Sequence, residues 1–291
     1  MQNVIDRLKK LPIWKGQIEV SALTGGITNF NFLVSDEEKK TVVRIGDDIL
    51  VHHIKRFNEL SASQAAHAAQ ISPAVIYHET GLLVIEYVPS RTLAACDFHD
   101  PIILREGVFL IKNAHMNMPK HLRGPALVFW VFHVIRNYVS TLENAQSIYA
   151  SLFSELLEQA SQLEKAVGKI DLVFGHNDLL PGNFLHDGNR IWLIDWDYAG
   201  FNSPLFDLGG LATNCDFSES QEMTLLELYF EEEITSKVWK SYQAMKTSAA
   251  LRETLWSMVS EIFSDLDHDF STYTQKTLST YHSAWNNFIQ T

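Results

Sequence analysis

The sequence predicts an α+β fold with a small antiparallel-sheet lobe and a larger, mainly helical lobe. Short β-rich runs separated by turn residues fill the first 88 of the 291 residues. From residue 101 onward, apolar residues recur at helical spacing. Pro89 lies between the two patterns, and proline cannot continue a hydrogen-bonded strand. We therefore expect an N-terminal nucleotide-binding lobe over residues 1–88, a hinge at residues 88–92 and a C-terminal catalytic and substrate-binding lobe over residues 89–291.

The small lobe begins with three strand patterns followed by a helix. The runs QIEVSAL, NFNFLVS and TVVRIG are separated by Gly25-Gly26 and by the charged stretch DEEKK. Residues 54–70 contain neither Gly nor Pro, and their apolar residues recur at helical spacing, which predicts a helix. These apolar residues are Ile54, Phe57, Ala65 and Ala68. The runs AVIYHE and LLVIEYV, joined by a Thr-Gly turn, then predict a hairpin.

The larger lobe is expected to be helical around one short β insert. Helical patterns cover residues 101–117, 125–144 and 147–168, and helices resume after a strand-turn-strand insert at residues 172–195. The aromatic-rich stretch at 126–138 is assigned to the core of this lobe. The sequence has no internal repeat and no low-complexity segment, which excludes repeat architectures.

Composition and charge exclude several classes of protein. The longest apolar run, ALVFWVFHVIRNY, is interrupted by His133 and Arg136 and falls short of the roughly 20 residues that span a bilayer. The N-terminal MQNVIDRLKKLPIWKG has no apolar signal core, so we expect a soluble cytoplasmic protein with no membrane partner. Cys96 and Cys215 lack CxxC spacing, which argues against a disulfide framework or a zinc site. The net charge of −12 argues against a nucleic-acid partner and suits a cationic substrate.

The segment GHNDLLPGNFLHDGNRIWLIDW concentrates polar side chains that are suited to chemistry. Its hairpin, with a turn at residues 187–189, is expected to fold Asn183 back towards Asp195. An amide oxygen and a carboxylate are hard ligands that suit Mg²⁺. Asp178, in the neighbouring loop, is expected to accept a proton from a substrate hydroxyl. Each residue alone is more often simple turn chemistry, but their joint spacing favours phosphoryl transfer.

Two of these motifs, GHNDLLPGNFL and LIDWDYAG, resemble the catalytic loop and metal-binding strand of the choline/ethanolamine kinase family. That family is related to aminoglycoside phosphotransferases and, more distantly, to protein kinases. The resemblance covers most of the chain and implies a protein-kinase-like two-lobed fold that uses ATP and Mg²⁺. It implies that Asp178 is the catalytic base and that Asn183 and Asp195 are the metal ligands. It also implies that His176 braces the catalytic loop.

In the small lobe, LTGGITNFNFLV and VVRIG resemble the family's nucleotide loop and phosphate-contacting strand. The loop residues implied to lie over the ATP phosphates are Gly25, Gly26, Thr28 and Asn29. Arg44 lies mid-strand, where an unpaired charge is costly, so it needs an anionic partner. The resemblance implies that Arg44 contacts the ATP phosphates, and Glu59 on the following helix is its candidate ion-pair partner, with a solvated helix face as the alternative.

Three further sites come from the same resemblance. The backbone of Glu86, Tyr87 and Val88 resembles the interlobe segment that meets the adenine edge. Asp207 matches an Asp that bonds the catalytic loop from behind. Asp197 alternates to the other side of the strand from Asp195, and its role, structural or metal-assisting, stays open.

The acceptor pocket is assigned to the helix that contains ETLWSMVSEIF. Trp256 and Tyr273 resemble the family's aromatic pocket residues, whose faces suit a quaternary ammonium. Eukaryotic members of the family have a second Trp where this sequence has Glu253, and a carboxylate there favours an acceptor that can donate hydrogen bonds. The alternative for Trp256 is packing in the helical core. Asp216 and Phe217 lie near further pocket positions but carry no assigned role.

The sequence therefore predicts an ATP- and Mg²⁺-dependent kinase that phosphorylates a cationic amino alcohol, with choline first and ethanolamine second. Aminoglycoside or thiamine phosphorylation is the alternative within the same fold. A non-catalytic nucleotide-binding regulator is the alternative of another class. A metal-dependent phosphohydrolase would leave Arg44 and GGITN unexplained. The Trp and Phe content would allow a homodimer without requiring one.

Overall fold

The structure, a computed structural model, describes residues 2–23, 29–266 and 268–291 and has the α+β fold with two unequal lobes. The small lobe is built on a five-stranded antiparallel sheet with the strand order β1-β2-β3-β5-β4. Its strands are β1 (Glu19–Leu23), β2 (Phe30–Ser35), β3 (Lys40–Ile45), β4 (Val75–Glu79) and β5 (Leu82–Glu86). All three predicted strand patterns and the hairpin therefore form strands. The 88/89 lobe boundary stays a prediction.

The two faces of this sheet have different surroundings, because successive side chains along a strand point to opposite faces. Phe32, Val34 and Val43 are buried against Leu8 and Leu11, which belong to and follow the short helix α1 (Gln2–Lys9). The opposite face, with Val42 and Arg44 among its residues, lines the cleft between the lobes. The helix α1 was not predicted from the sequence.

Helix α2 (Arg56–Ala68) forms within the predicted 54–70 range, but only part of the predicted apolar stripe is buried: Ile54 and Ala65 are buried, whereas Ala68 is exposed. Phe57 is 47% exposed, whereas Asn58 and Glu59 are buried. The polar residues are buried because both have partners: the Asn58 amide donates to the carbonyl of Ala199 over 2.8 Å, and Glu59 pairs with arginines. Hydrogen bonds and ion pairs with neighbouring elements thus set the orientation of this helix.

The larger lobe packs its helices around the long helix α8 (Ser236–Phe263), which contacts α4, α5, α6 and α9. The other helices are α3 (Pro101–His121), α4 (Val131–Asn144), α5 (Phe153–Val167), α6 (Pro204–Asn214), α7 (Glu219–Phe230) and α9 (Phe270–Phe288). Phe132, Ile135 and Tyr138 are fully buried, so the aromatic-rich stretch belongs to the core as expected. Among the residues that the structure describes, no helix is both long enough and apolar enough to cross a membrane.

Three predicted helix boundaries were wrong. Residues 125–130 are extended rather than helical, because the backbone there pairs with Phe201. The Phe201 N–H donates to the Leu127 carbonyl over 2.8 Å, and the Phe129 N–H donates to the Phe201 carbonyl over 2.9 Å. Helix α5 begins at Phe153 rather than at 147, since residues 147–152 form a turn and a short 3₁₀ segment. Helix α3 continues past 117 to His121 despite Pro119 in its last turn.

Short strands connect the catalytic segment to the hinge. β8 (Phe184–His186) and β9 (Ile191–Leu193) form the predicted hairpin, and β6 (Arg91–Thr92) pairs with β8. The end of the predicted hinge is therefore tied to the larger lobe. β7 (Val173–Gly175) pairs with β10 (Gly200–Asn202), which brackets the catalytic loop between two strands.

Candidate active site

The catalytic loop is held from behind by Asp207 on helix α6. The backbone N–H groups of His176 and Asn177 donate to its two carboxylate oxygens over 2.7 Å each, and the His115 ring lies 2.9 Å from it. Burial opposes ionisation, but these hydrogen bonds hold the pKa of Asp207 below its ordinary value. The structure thus places Asp207 where the sequence analysis expected it, outside the cleft.

His176 braces the loop through the neighbouring segment that follows strand β9. Its Nε2 lies 2.9 Å from the carbonyl oxygen of Ile194, and its ring packs on Trp196 at a centroid distance of 4.7 Å. Burial lowers the pKa of His176 despite nearby Asp207, so the ring is neutral and its Nε2–H donates to Ile194. His176 is 1% exposed and does not reach the cleft, so its position fits bracing rather than contact with reacting atoms.

Asn177 turns the loop so that Asp178 faces the cleft. Its φ of +65° lies in the left-handed region, which Asn tolerates better than most residues. The Asn177 amide stabilises this turn by donating to the carbonyls of Tyr198 and Gly200 over 2.9 and 3.1 Å. Burial raises the pKa of Asp178 to about 7, although Arg252 opposes the shift. A carboxylate with such a pKa is well matched to proton transfer near neutral pH.

The β8–β9 hairpin brings Asn183 beside Asp195, as the sequence analysis expected. The Ile194 N–H donates to the Asn183 carbonyl over 3.0 Å at the open end of the hairpin. The Asn183 side-chain amide N–H donates to the Asp178 carbonyl over 3.0 Å, which leaves its Oδ1 as the atom to face a cation. Asp195 has a φ of +72° and, like Asn183, lines the cleft.

These two side chains fit a Mg²⁺ ion that also binds nucleotide phosphates. Both offer hard oxygen atoms into one cleft, and Mg²⁺ usually binds one or two protein oxygens while keeping waters and phosphate oxygens. Within the described ranges, no cluster of three or more His, Cys, Asp and Glu side chains could hold a metal alone. Asn183 and Asp195 would therefore hold the ion together with the nucleotide.

An ion cluster joins the sheet, helix α2 and the segment that follows strand β9. Arg44 lies 3.1 Å from Glu59, 2.9 Å from Asp195 and 3.3 Å from Asp197. Arg56 lies 2.7 Å from Glu59 and 2.9 Å from Asp197. Burial opposes the charge on Arg44, yet the carboxylates of Asp195, Glu59 and Asp197 raise its pKa. Burial likewise opposes the charge on Asp197, yet Arg44 and Arg56 lower its pKa. Glu59 is thus the partner of Arg44, and Asp197 has a structural position.

Arg56 is a residue that the sequence analysis missed, although it precedes Glu59 by three positions on one helix, a spacing that favours an ion pair. Asn29, expected over the phosphates, donates from its amide to Asp197 over 2.9 Å. The remaining residues of the expected phosphate loop, Gly25, Gly26 and Thr28, lie outside the described residues.

A cleft of about 630 Å³ between the lobes unites most of the expected site residues. Its lining includes Arg44, Glu86, Val88, Asp178, Asn183, Asp195, Asp197, Glu253, Trp256 and Tyr273. Glu59, His176 and Asp207 lie behind this lining and contact it through other residues. A smaller cavity of about 230 Å³, lined in part by Asp216, adjoins the cleft and shares Asp178 and Glu253 with it.

At the acceptor end, Trp256 is both a core residue and part of the cleft wall. It is 6% exposed, and its indole N–H donates to the Tyr198 hydroxyl over 2.9 Å. The Tyr273 hydroxyl donates to Glu253 over 2.7 Å. Arg252, which the sequence analysis missed, lies between Glu253 and Asp178; its position one helical turn before Trp256 is the signal that could have identified it.

Comparisons with known proteins agree with this geometry. A family model described as choline/ethanolamine kinase matches residues 20–217. The protein LicA of Haemophilus influenzae is 29% identical over 264 residues, which cover 87% of this chain and 76% of LicA. A choline/ethanolamine kinase family protein from Mesorhizobium loti has a TM-score of 0.80 at 26% identity, over 98% of this chain and 95% of that one.

The choline kinase LicA of Streptococcus pneumoniae has the same fold, with a TM-score of 0.78 at 22% identity over 97% of this chain and 99% of that one. The matching family model spans well over half of the 291 residues and includes Asp178, the β8–β9 hairpin and the strand with Arg44. This chain therefore belongs to the choline/ethanolamine kinase family.

Proposed function

We propose that this enzyme uses Mg²⁺ to transfer the γ-phosphoryl group of ATP to the hydroxyl of a cationic amino alcohol, with Asp178 as the base. Phosphoryl transfer to an alcohol is the activity of the family to which the chain belongs. The single observation that supports the proposed roles is that Asp178, Asn183, Asp195 and Arg44 line one cleft. Phosphoryl transfer needs these components: an oriented hydroxyl, a metal site and a cation for the phosphates.

In this scheme Asp178 positions the acceptor hydroxyl and accepts its proton. The hydrogen bond that the Asn183 side-chain amide donates to the Asp178 carbonyl fixes the position of the base relative to the proposed metal site. Mg²⁺, when bound by Asn183 and Asp195, supplies positive charge to the transferring phosphoryl oxygens. Arg44 is kept charged by its carboxylate neighbours, and its planar guanidinium suits phosphate oxygens.

The charge of the acceptor end supports a cationic acceptor. Asp178 and Glu253 both face the cleft, and Arg252 offsets only one of the two charges that they carry when both are ionised. An ammonium group would offset the other. Choline is the acceptor favoured by the sequence and ethanolamine is the second, and this order stays a prediction. The homodimer and the cytoplasmic location also stay predictions.

The alternatives lead to different expectations. An aminoglycoside or thiamine kinase would use the same base but a different acceptor, and a non-catalytic regulator would bind ATP without turnover. Because the base, both metal ligands and the phosphate-binding Arg lie together in the cleft, the regulator has the weaker support.

The test is ADP formation by purified protein with Mg²⁺ and ATP, measured with choline, ethanolamine, thiamine and an aminoglycoside, and without any acceptor. We expect turnover that depends on an amino alcohol. ADP formation at the same rate without an acceptor would instead indicate a phosphohydrolase. Turnover only with thiamine or the aminoglycoside would correct the acceptor class.

A further inference from the structure

The aromatic side chains at the acceptor end already have partners on their faces. His52 stacks on Trp256 with ring centroids 5.0 Å apart and an interplanar angle of 30°. Burial, together with nearby Arg252, lowers the pKa of His52 to about 3, so this ring is neutral at pH 7. Trp256 also donates its indole N–H to Tyr198. Little of the Trp256 face is therefore open to a ligand cation.

Arg252 occupies the neighbouring aromatic face. Its guanidinium carbon lies 4.4 Å from the ring centroid of Tyr198 and 5.6 Å from that of Phe129. Both distances lie within the range of cation–π attraction. Arg252 is 4% exposed, so these contacts are fixed by packing. The chain thus places a cation of its own where an aromatic pocket would bind the cation of a ligand.

The same guanidinium determines which group remains to bind an acceptor. Nη1 of Arg252 lies 3.0 Å from Oε2 of Glu253 and 3.8 Å from Oδ1 of Asp178. The other Glu253 oxygen accepts from the Tyr273 hydroxyl over 2.7 Å. The Glu253 side chain is nevertheless 32% exposed. Glu253 is therefore an oriented carboxylate at the surface of the cleft, next to the base.

We propose that Arg252 determines acceptor specificity, because by covering Tyr198 it leaves recognition of the acceptor's cation to Glu253. The inference rests on the proposed function. A carboxylate binds an ammonium that has N–H groups through charge-assisted hydrogen bonds, which a quaternary ammonium cannot donate. Aromatic faces, by contrast, bind quaternary ammonium well. The enzyme accordingly prefers ethanolamine to choline, which reverses the order expected from the sequence.

The test is a series of acceptors that differ only in N-methylation: ethanolamine, its mono- and dimethyl derivatives, and choline, each measured as kcat/KM at saturating Mg²⁺ and ATP. In the wild type, kcat/KM should fall along the series, by about tenfold or more in total. In Arg252→Met, the ratio of choline to ethanolamine kcat/KM should rise by about tenfold to thirtyfold, the size of one desolvated cation–π contact. The absolute rates of this variant should fall for both acceptors, since Asp178 loses the neighbouring guanidinium of Arg252.

A matched control is Arg136→Met, which removes an exposed arginine that pairs with Glu164 away from the cleft. It should leave the acceptor ratio unchanged. Glu253→Gln supplies independent evidence if Arg252→Met does not fold, because Glu253 is partly exposed. It should lower kcat/KM for ethanolamine about tenfold more than for choline.

Three results would overturn the inference. The first is a wild type that prefers choline. The others are an Arg252→Met variant, or a Glu253→Gln variant, in which kcat/KM falls by the same factor for choline and for ethanolamine. Failure of the proposed function has a different signature, because then no amino alcohol would support ADP formation in the wild type.

Discussion

At the scale of single residues, each buried charge in the site has an oppositely charged neighbour or hydrogen-bond donors, which limits the cost of removing it from water. Arg44 and Glu59 could be paired from the sequence, because an arginine in the middle of a strand requires an anion. Arg252 lies one helical turn before Trp256, but no comparable pairing rule predicts its burial, since an arginine on a helix ordinarily faces water. Its burial depends on rings contributed by Tyr198 and Phe129, which are distant in sequence.

Asp207 provides a test of this principle through pH-dependent stability. Asp207→Asn should lower the free energy of unfolding by roughly 2–4 kcal/mol at pH 7, because a buried carboxylate that accepts from two backbone N–H groups is lost. The folded-state pKa of Asp207 lies below its ordinary value of 3.8. Its contribution is thus present above pH 3.8 and is lost as the pH falls through the folded value.

Urea unfolding of wild type and Asp207→Asn between pH 7 and about pH 2.5 measures the difference in the free energy of unfolding, which should narrow only below pH 3.8. The control Asp100→Asn changes an exposed N-cap of helix α3 to an equally good capping residue and should leave the free energy of unfolding within about 0.5 kcal/mol of the wild type. A deficit in Asp207→Asn that stays constant down to about pH 2.5 would contradict a depressed pKa.

At the scale of elements, the β8–β9 hairpin sets the distance between Asn183 and Asp195, the two proposed metal ligands. Its turn contains Gly188 at φ +98°, which disfavours any residue with a Cβ. Gly188→Ala should cost about 1 kcal/mol of stability and, because the hairpin ends carry Asn183 and Asp195, raise the Mg²⁺ concentration for half-maximal activity by about threefold to tenfold. Magnesium titration of activity and urea unfolding measure the two effects.

Gly168→Ala is the matched control for this hairpin variant. Gly168 also has a positive φ, +67°, with open space around a new Cβ, but it ends helix α5 away from the site. It should lose similar stability with an unchanged Mg²⁺ requirement. An equal change in Mg²⁺ requirement in both variants would show that the hairpin has no special role.

The ion pair between Glu59 on helix α2 and Arg44 on strand β3 should affect the binding of the nucleotide. Glu59→Gln removes the carboxylate between Arg44 and Arg56, so Arg44 shifts towards Asp195 and becomes less available to phosphate. We expect the dissociation constant of Mg²⁺-ATP to rise about tenfold, as measured by titration calorimetry. Glu79→Gln, which changes a partly exposed ion pair with Arg7 in the same lobe, should have no effect. Unchanged affinity in Glu59→Gln would refute the link.

The types of the secondary-structure elements were more predictable from the sequence than the residues at which the elements begin and end. Periodicity identified α2, α3 and the β8–β9 hairpin, because each has a continuous pattern and clear turn residues. The start of α4 was placed too early, since residues 125–130 contain apolar residues whose extended conformation depends on pairing with Phe201. That pairing is long-range and leaves no local signal in the sequence.

At the scale of the whole molecule, the polar cluster around Asp197 connects the lobes. Arg44, Arg56 and Asn29 of the small lobe all contact Asp197, and Asn58 donates to Ala199 nearby. Both lobes thus contribute to one site, and the two-lobed fold was predictable because strand and helix patterns occupy different parts of the sequence. The packing of Arg252 beside Asp178 was not predictable, since it depends on how helix α8 contacts the loop that contains Asp178.

The most direct test of the account is detection of the phosphorylated amino alcohol by ³¹P NMR after incubation with ATP and Mg²⁺, in wild type and Asp178→Asn. The wild type should form one phosphorylated acceptor per ADP. Asp178→Asn should still bind ATP but form product at least about 100-fold more slowly, while Asp171→Asn, at an exposed position of the same segment, should behave like the wild type. Product formation at the wild-type rate in Asp178→Asn, or ADP without a phosphorylated acceptor, would contradict the account.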